Sequence, residues 1–155
     1  MSSIREQLVV EITTALTNGR PAGVPLPVRT RVDPPTPDTL PTLSVWQVKE
    51  TVGQMQPERP GAFSRLGPVV RRTLELVVEV CTSAATAEAD KAADPILTWA
   101  SKALAALDLA SMVVPIEEIG TEFSYVREGD VPLCRALMSF RVSYDTLANN
   151  PEAIQ

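Results

Sequence analysis

Val69-Val-Arg-Arg-Thr-Leu-Glu-Leu-Val-Val-Glu-Val-Cys81 is the stretch whose reading decides the fold class. Val70, Arg72, Leu74, Leu76, Val78 and Val80 alternate with Arg71, Thr73, Glu75, Val77 and Glu79. A period of two with one apolar and one more polar face is a half-buried strand. Toward the N-terminus, Leu43 to Val52 reads as a second strand. Ser44, Trp46, Val48, Glu50 and Val52 fall on one of its faces, and Leu43, Val45 and Gln47 on the other. Between the two strands, residues 53–67 carry Gly53, Gly61, Gly67, Pro57, Pro60 and the charges Glu58, Arg59 and Arg65. That composition reads as a long mobile loop, and loops of this length inside a compact domain are usually functional or disordered. Val28-Arg-Thr-Arg-Val32 reads as a short strand, which Asp33-Pro-Pro-Thr-Pro cannot continue because proline donates no ladder hydrogen bond.

The ends of the chain add helices and a hairpin. Ser3 with Glu6 three residues on forms a capping-box signature, and Ile4, Leu8, Val9, Ile12 and Leu16 make one helical stripe. Gly19 stands where a left-handed helix cap is expected. Residues 84–107 are alanine-rich and helical, with the stripe Ile96, Trp99, Ala103, Leu104 and Leu107. Asp94-Pro95 implies either two abutting helices or one kinked helix. Residues 113–125 and 133–144 form a β-hairpin around Arg127-Glu-Gly-Asp130. Its second strand sets Cys134, Ala136, Met138, Phe140, Val142 and Tyr144 against Arg135, Ser139 and Arg141, with Leu137 as the exception. Residues 149–155 show no pattern and are expected to fray. Helix, strands, helix, strands indicates one α+β domain over residues 1–148, a mainly antiparallel sheet with two helices on one face.

Composition narrows the function. A chain of 155 residues suits one core, burying about 70% of its unfolded surface. No apolar run approaches the ~20 residues of a membrane span, and Met1-Ser-Ser-Ile-Arg-Glu-Gln does not read as a signal peptide. A formal charge of −5 makes free nucleic acid a poor primary ligand, although Arg59, Arg65, Arg71 and Arg72 fall in one stretch. Arg71 and Arg72 read more simply as strand residues, one exposed and one snorkelling from the sheet edge. There is no histidine, and Cys81 and Cys134 have no CxxC spacing. A zinc site or a Cys–His nucleophile is therefore not expected, and the thiols read as buried and reduced. Adjacent strand residues face opposite ways, so Glu117 and Glu118 cannot share a substrate. Glu75 and Glu79 share a face, at the spacing of a solvated sheet surface. Nucleotide-binding and hydrolase motifs are absent from the sequence. Neither a catalytic residue, a metal nor a cofactor is expected. Trp99 reads as core, while Trp46 is balanced between core and interface.

Three stretches, in this order and spacing, resemble the tail terminator proteins of long-tailed bacteriophages, the group that includes the minor tail protein U of lambdoid phages. They are Arg72-Thr-Leu-Glu-Leu-Val-Val-Glu-Val80, Asp94-Pro-Ile-Leu-Thr-Trp-Ala100 and Ile116-Glu-Glu-Ile-Gly-Thr-Glu-Phe123. The closing strand Arg135-Ala-Leu-Met-Ser-Phe-Arg-Val-Ser-Tyr144 is similar too, and the likeness covers nearly the whole chain. The resemblance implies a structural virion protein, not an enzyme. It implies a homo-hexameric ring in the neck region of the tail, assembled in the host cytoplasm. Its partners would be the tail-tube protein and a head–tail connector or adaptor, with DNA only as cargo through the ring lumen. The family has no motif that fixes its interfaces. From the residues themselves, the candidate assembly interface is Glu58, Arg59, Phe63 and Arg65 on the loop, Trp46, and Arg127 and Asp130 at the hairpin tip. A head–tail connector or tail completion protein of the neck is the nearest alternative. A small-molecule domain, recognisable by a deep apolar pocket with convergent polar groups, is the alternative of a different class.

Overall fold

The computed structural model describes residues 3–29, 35–56, 69–83, 88–107, 116–128, 131–147 and 150–154. The elements are α1 (Ile4–Thr17), β1 (Pro27–Arg29), β2 (Thr42–Gln56), β3 (Val69–Ser83), α2 (Ala89–Ala105), β4 (Ile116–Glu128), β5 (Val131–Leu147) and β6 (Asn150–Ile154). The strands form one mixed sheet in the order β1-β2-β3-β5-β4, and β6 pairs with β5. Among the described residues only the β1 to β2 pairing is parallel. The fold is α+β, with both helices packed on one face of the sheet.

The alternation of β3 dictates which face the helices cover. Leu74, Leu76, Val78 and Val80 point into the core, level with Val142, Phe140, Met138 and Ala136 of β5. The α1 stripe Ile4, Leu8, Val9, Ile12 and Leu16 closes on them, as do Ile96, Leu97, Ala100 and Leu104 of α2. Each such fully buried aliphatic side chain contributes about 1.5–3 kcal/mol relative to exposure. Trp99, Ala103 and Leu107 pack more loosely at the margin of this core. α1 begins at Ser3, whose hydroxyl accepts from the Glu6 amide at 3.3 Å. The reciprocal half of the capping box does not form, because the Glu6 carboxylate is held by the Arg29 guanidinium on β1. Gly19, with φ at 65°, adopts the left-handed conformation beyond the helix.

The structure adjusts several sequence boundaries. Of the two arrangements Asp94-Pro95 allows, α2 is the single helix, with Pro95 inside it. β1 is described over Pro27–Arg29, and the rest of the expected strand, residues 30–32, lies outside the described residues. β4 runs past the expected Tyr125 to Glu128, β5 (Val131–Leu147) extends beyond the expected residues 133–144 at both ends, and their pairing runs to Glu128 with Val131. β2 continues through Gly53 to Gln56, so the first residues of the expected loop are strand. Residues 57–68, with Glu58, Arg59, Phe63 and Arg65, lie outside the described residues, as does Asp130. The C-terminal tail is ordered as β6, where the sequence reading has it frayed. The reason is visible in the register. β4 pairs with β5 only as far as Val142, and β6 takes up the continuing edge at Thr146 and Leu147.

A bulge changes the two faces of β2. Gln47 pairs with Leu76 and Lys49 with Glu75, leaving Val48 as the extra residue. Leu43 and Val45 therefore face the helices, and past the bulge so does Glu50, paired with Leu74. The sequence pattern put Glu50 and Val52 on the Trp46 side; the bulge moves them to the other.

Candidate assembly surfaces

Two polar constructions stand out, one on each side of the sheet. On the helix side, Arg72 sits on the apolar face of β3, where a guanidinium is costly without a partner. Its Nη1 donates to Glu50 Oε2 at 3.0 Å and its Nε to Thr146 Oγ1 at 3.1 Å. The Tyr144 hydroxyl donates to the other Glu50 oxygen. Burial first, then the bond to Glu50, push the Tyr144 hydroxyl well above the phenol range, so it stays a donor. Arg72 thus lies in a central strand with its charge neutralised, not snorkelling from an edge. This network closes the end of the core near α1 and leaves no charge over for a ligand.

The other side carries no helix among the described residues. Side-chain ladders cover it instead. Lys49, Glu75, Arg141 and Glu117 follow one another across β2, β3, β5 and β4 in register, with charges of alternating sign. Glu75 lies 3.4 Å from Lys49 and 3.9 Å from Arg141. A second pair, Arg71 with Asp145, is bidentate at 2.9 and 3.0 Å. The Arg71 hydrogen bonds hold the Asp145 carboxyl below the ordinary aspartate range, against a smaller opposing effect of burial. Exposed pairs of this kind contribute about 0–1 kcal/mol each. They keep the face hydrated and self-neutral rather than making a binding site.

One end of that face is different. Glu79 is 4% exposed and Ser44, its register partner, 1% exposed. Glu79 accepts from Arg135 Nη2 at 3.0 Å and from the Cys81 thiol at 3.0 Å. The Arg135 guanidinium also lies 5.7 Å from the Trp46 ring centroid, a cation–π contact. Glu79 is therefore not the solvated surface carboxylate that its spacing suggests. Burial, with the Glu79 bond second, pushes the Cys81 thiol up to about 12, which leaves it protonated and unreactive. Cys134 lies on the helix face, level with Thr82, so the two buried thiols are on opposite sides of the sheet.

Of the expected interface residues, Trp46 is half-buried on the helix-free face beneath Arg135. Arg127 is in β4, level with Pro132, near the hairpin tip. Among the described residues these two are not brought together. Glu117 and Glu118 separate as expected, with Glu118 on the helix side accepting from Ser101 at 2.6 Å. A recess of about 320 Å³ lies between α2 and the connector before β2, and no ionisable side chain lines it. No protein-family model matches this chain, and no curated protein matches it either. Among the described residues there is no group of three side chains that could hold a metal ion, and no helix long and apolar enough to cross a membrane.

The sequence pattern missed one surface that the fold makes plain. Among the described residues β4 is an outer strand along its whole length, and Ile119, Phe123, Tyr125 and Val126 are exposed on it. A bulge between Glu118 and Gly120 breaks its alternation, so neither face of β4 reads as apolar in sequence.

Proposed function

We propose that this protein is a tail terminator of a long-tailed bacteriophage. It forms a six-membered ring on the head-proximal end of the tail tube, ends tube growth and offers a surface for head–tail joining. The observation that carries the reading is the chain-long resemblance. Its three quoted stretches fall on β3, on the body of α2 and on β4. The chemistry of the surfaces supports it. Arg71, Arg72 and Arg135 are each paired with a carboxylate, the buried thiol of Cys81 is inert, and the recess has no convergent charged groups. An assembly protein needs edges and exposed apolar side chains, and β4 supplies both. Head-to-tail association through two different patches closes into a ring when the rotation between copies allows it.

The test is tube growth. Purified tail-tube protein is polymerised with and without this protein, and lengths are measured by electron microscopy. A terminator caps one end and arrests extension there. A connector of the neck leaves tube growth unchanged and binds the portal or adaptor ring instead.

A further inference from the structure

The sheet has two lateral edges, and they are complementary. Unpaired strand edges are templates for another strand, and proteins normally keep them short, charged or covered. β4 forms one edge over 13 residues, with its apolar group Ile119, Phe123, Tyr125 and Val126 exposed. At the other edge β1 pairs only with residues 43–45 of β2. Residues 46–56 of β2 have no further strand beside them among the described residues, and Val48 and Val52 are exposed there.

Strand direction decides how two copies can meet. β2 and β5 run one way, β3 and β4 the other. A rotation about an axis roughly along the strands preserves those directions. The β4 edge of one copy then meets the β2 edge of the next as an antiparallel neighbour, the commoner ladder. Charge selects this over β4 against β4. The alternating row across the sheet ends in Lys49 on β2 and Glu117 on β4. Glu117 and Glu122 are exposed and have no ion pair among the described residues. Two β4 edges would set these carboxylates against each other, and like charges across a strand pair are destabilising.

We infer that the β4 edge of one copy adds to the β2 edge of a second copy along residues 46–56, which no described strand covers, so that neighbouring subunits share one continuous sheet. The inference rests on the ring reading above and names the contact that closes the ring.

Hydrogen exchange tests it on the full chain, comparing dilute protein with protein bound to tail tubes. Amides of residues 116–128 and of residues 46–56 are expected to slow together, by about tenfold or more. Assembly with protection of β4 alone would indicate β4-to-β4 pairing and overturn the inference, as would assembly with protection of neither edge. In both cases the ring reading survives. A chain that neither self-associates nor binds tubes sinks both. A double substitution of exposed side chains, Phe123→Lys with Tyr125→Lys, gives an independent check. It is expected to leave the melting temperature unchanged and to raise the concentration for half-assembly about tenfold or more. Unchanged assembly of that variant also overturns the inference.

Discussion

Replacing Arg72 by Met removes the guanidinium that pairs with Glu50 while keeping the volume of the stem. Taking one partner from a buried ion pair costs about 3–5 kcal/mol, chiefly because a charge is left unpaired. Here the two side chains are 18% and 16% exposed, and Glu50 keeps the Tyr144 hydroxyl. Water and that hydrogen bond offset part of the loss, and Thr146 loses a donor. The expected cost is about 2–3 kcal/mol. For a chain of this size that lowers the melting temperature by about 4–12 °C. The assay is urea unfolding followed by circular dichroism, with the slope against urea unchanged. The double variant Arg72→Met with Glu50→Gln removes both charges while keeping an amide oxygen to accept from Tyr144, and is expected to recover to within about 1 kcal/mol of the native protein. A single variant costing under about 0.5 kcal/mol would refute the reasoning, because it would put Arg72 among ordinary surface substitutions. So would a double variant as unstable as the single one.

Three further outcomes follow from the same geometry. The Asp145 carboxyl titrates below its unfolded value, so its contribution is complete above the ordinary aspartate range of about 4 and is lost as pH falls through the lower, folded value. Asp145→Asn is therefore expected to be less stable than the native protein at pH 6, and the gap should shrink in unfolding curves taken between pH 4 and about 2. An alkylating reagent at pH 8 should modify neither Cys81 nor Cys134 in the folded protein and both in denaturant without reductant; rapid labelling of the folded chain would contradict the burial assigned to them. Gln56 pairs with Val69, so replacing residues 57–68 by Asn-Gly suits a two-residue hairpin turn. That variant is expected to melt within a few degrees of the native protein by calorimetry. If the segment is part of the interface, it will fail to rescue phage lacking the native protein, and full rescue would show the segment to be dispensable.

The parts of the fold written in simple periods were legible. The two faces of β3 and β5 follow their alternation, and all five residues of the α1 stripe are buried. Single-residue departures from period were not. Val48 is one extra residue in β2, and it moves Glu50 from the side of Trp46 to the side of Tyr144. Ile119 does the same to β4 and scatters its exposed apolar group over both faces. A bulge depends on what the partner strand offers, which local pattern does not contain. One signal was present: Arg72 on an otherwise apolar face requires an acidic partner, and Glu50 lies in the strand before it. The burial of Glu79 had a fainter trace. It depends on Trp46 and Arg135 meeting over one end of the face from two different strands.

The most direct test of the central claim is the mass and symmetry of the protein on its tube. Tail tubes incubated with the purified chain are imaged by electron microscopy, and the complex is weighed by native mass spectrometry after release. A terminator gives a single six-fold ring at one end of each tube and a released species of six chains. Bare tube ends beside a protein that stays monomeric at every concentration would contradict the account.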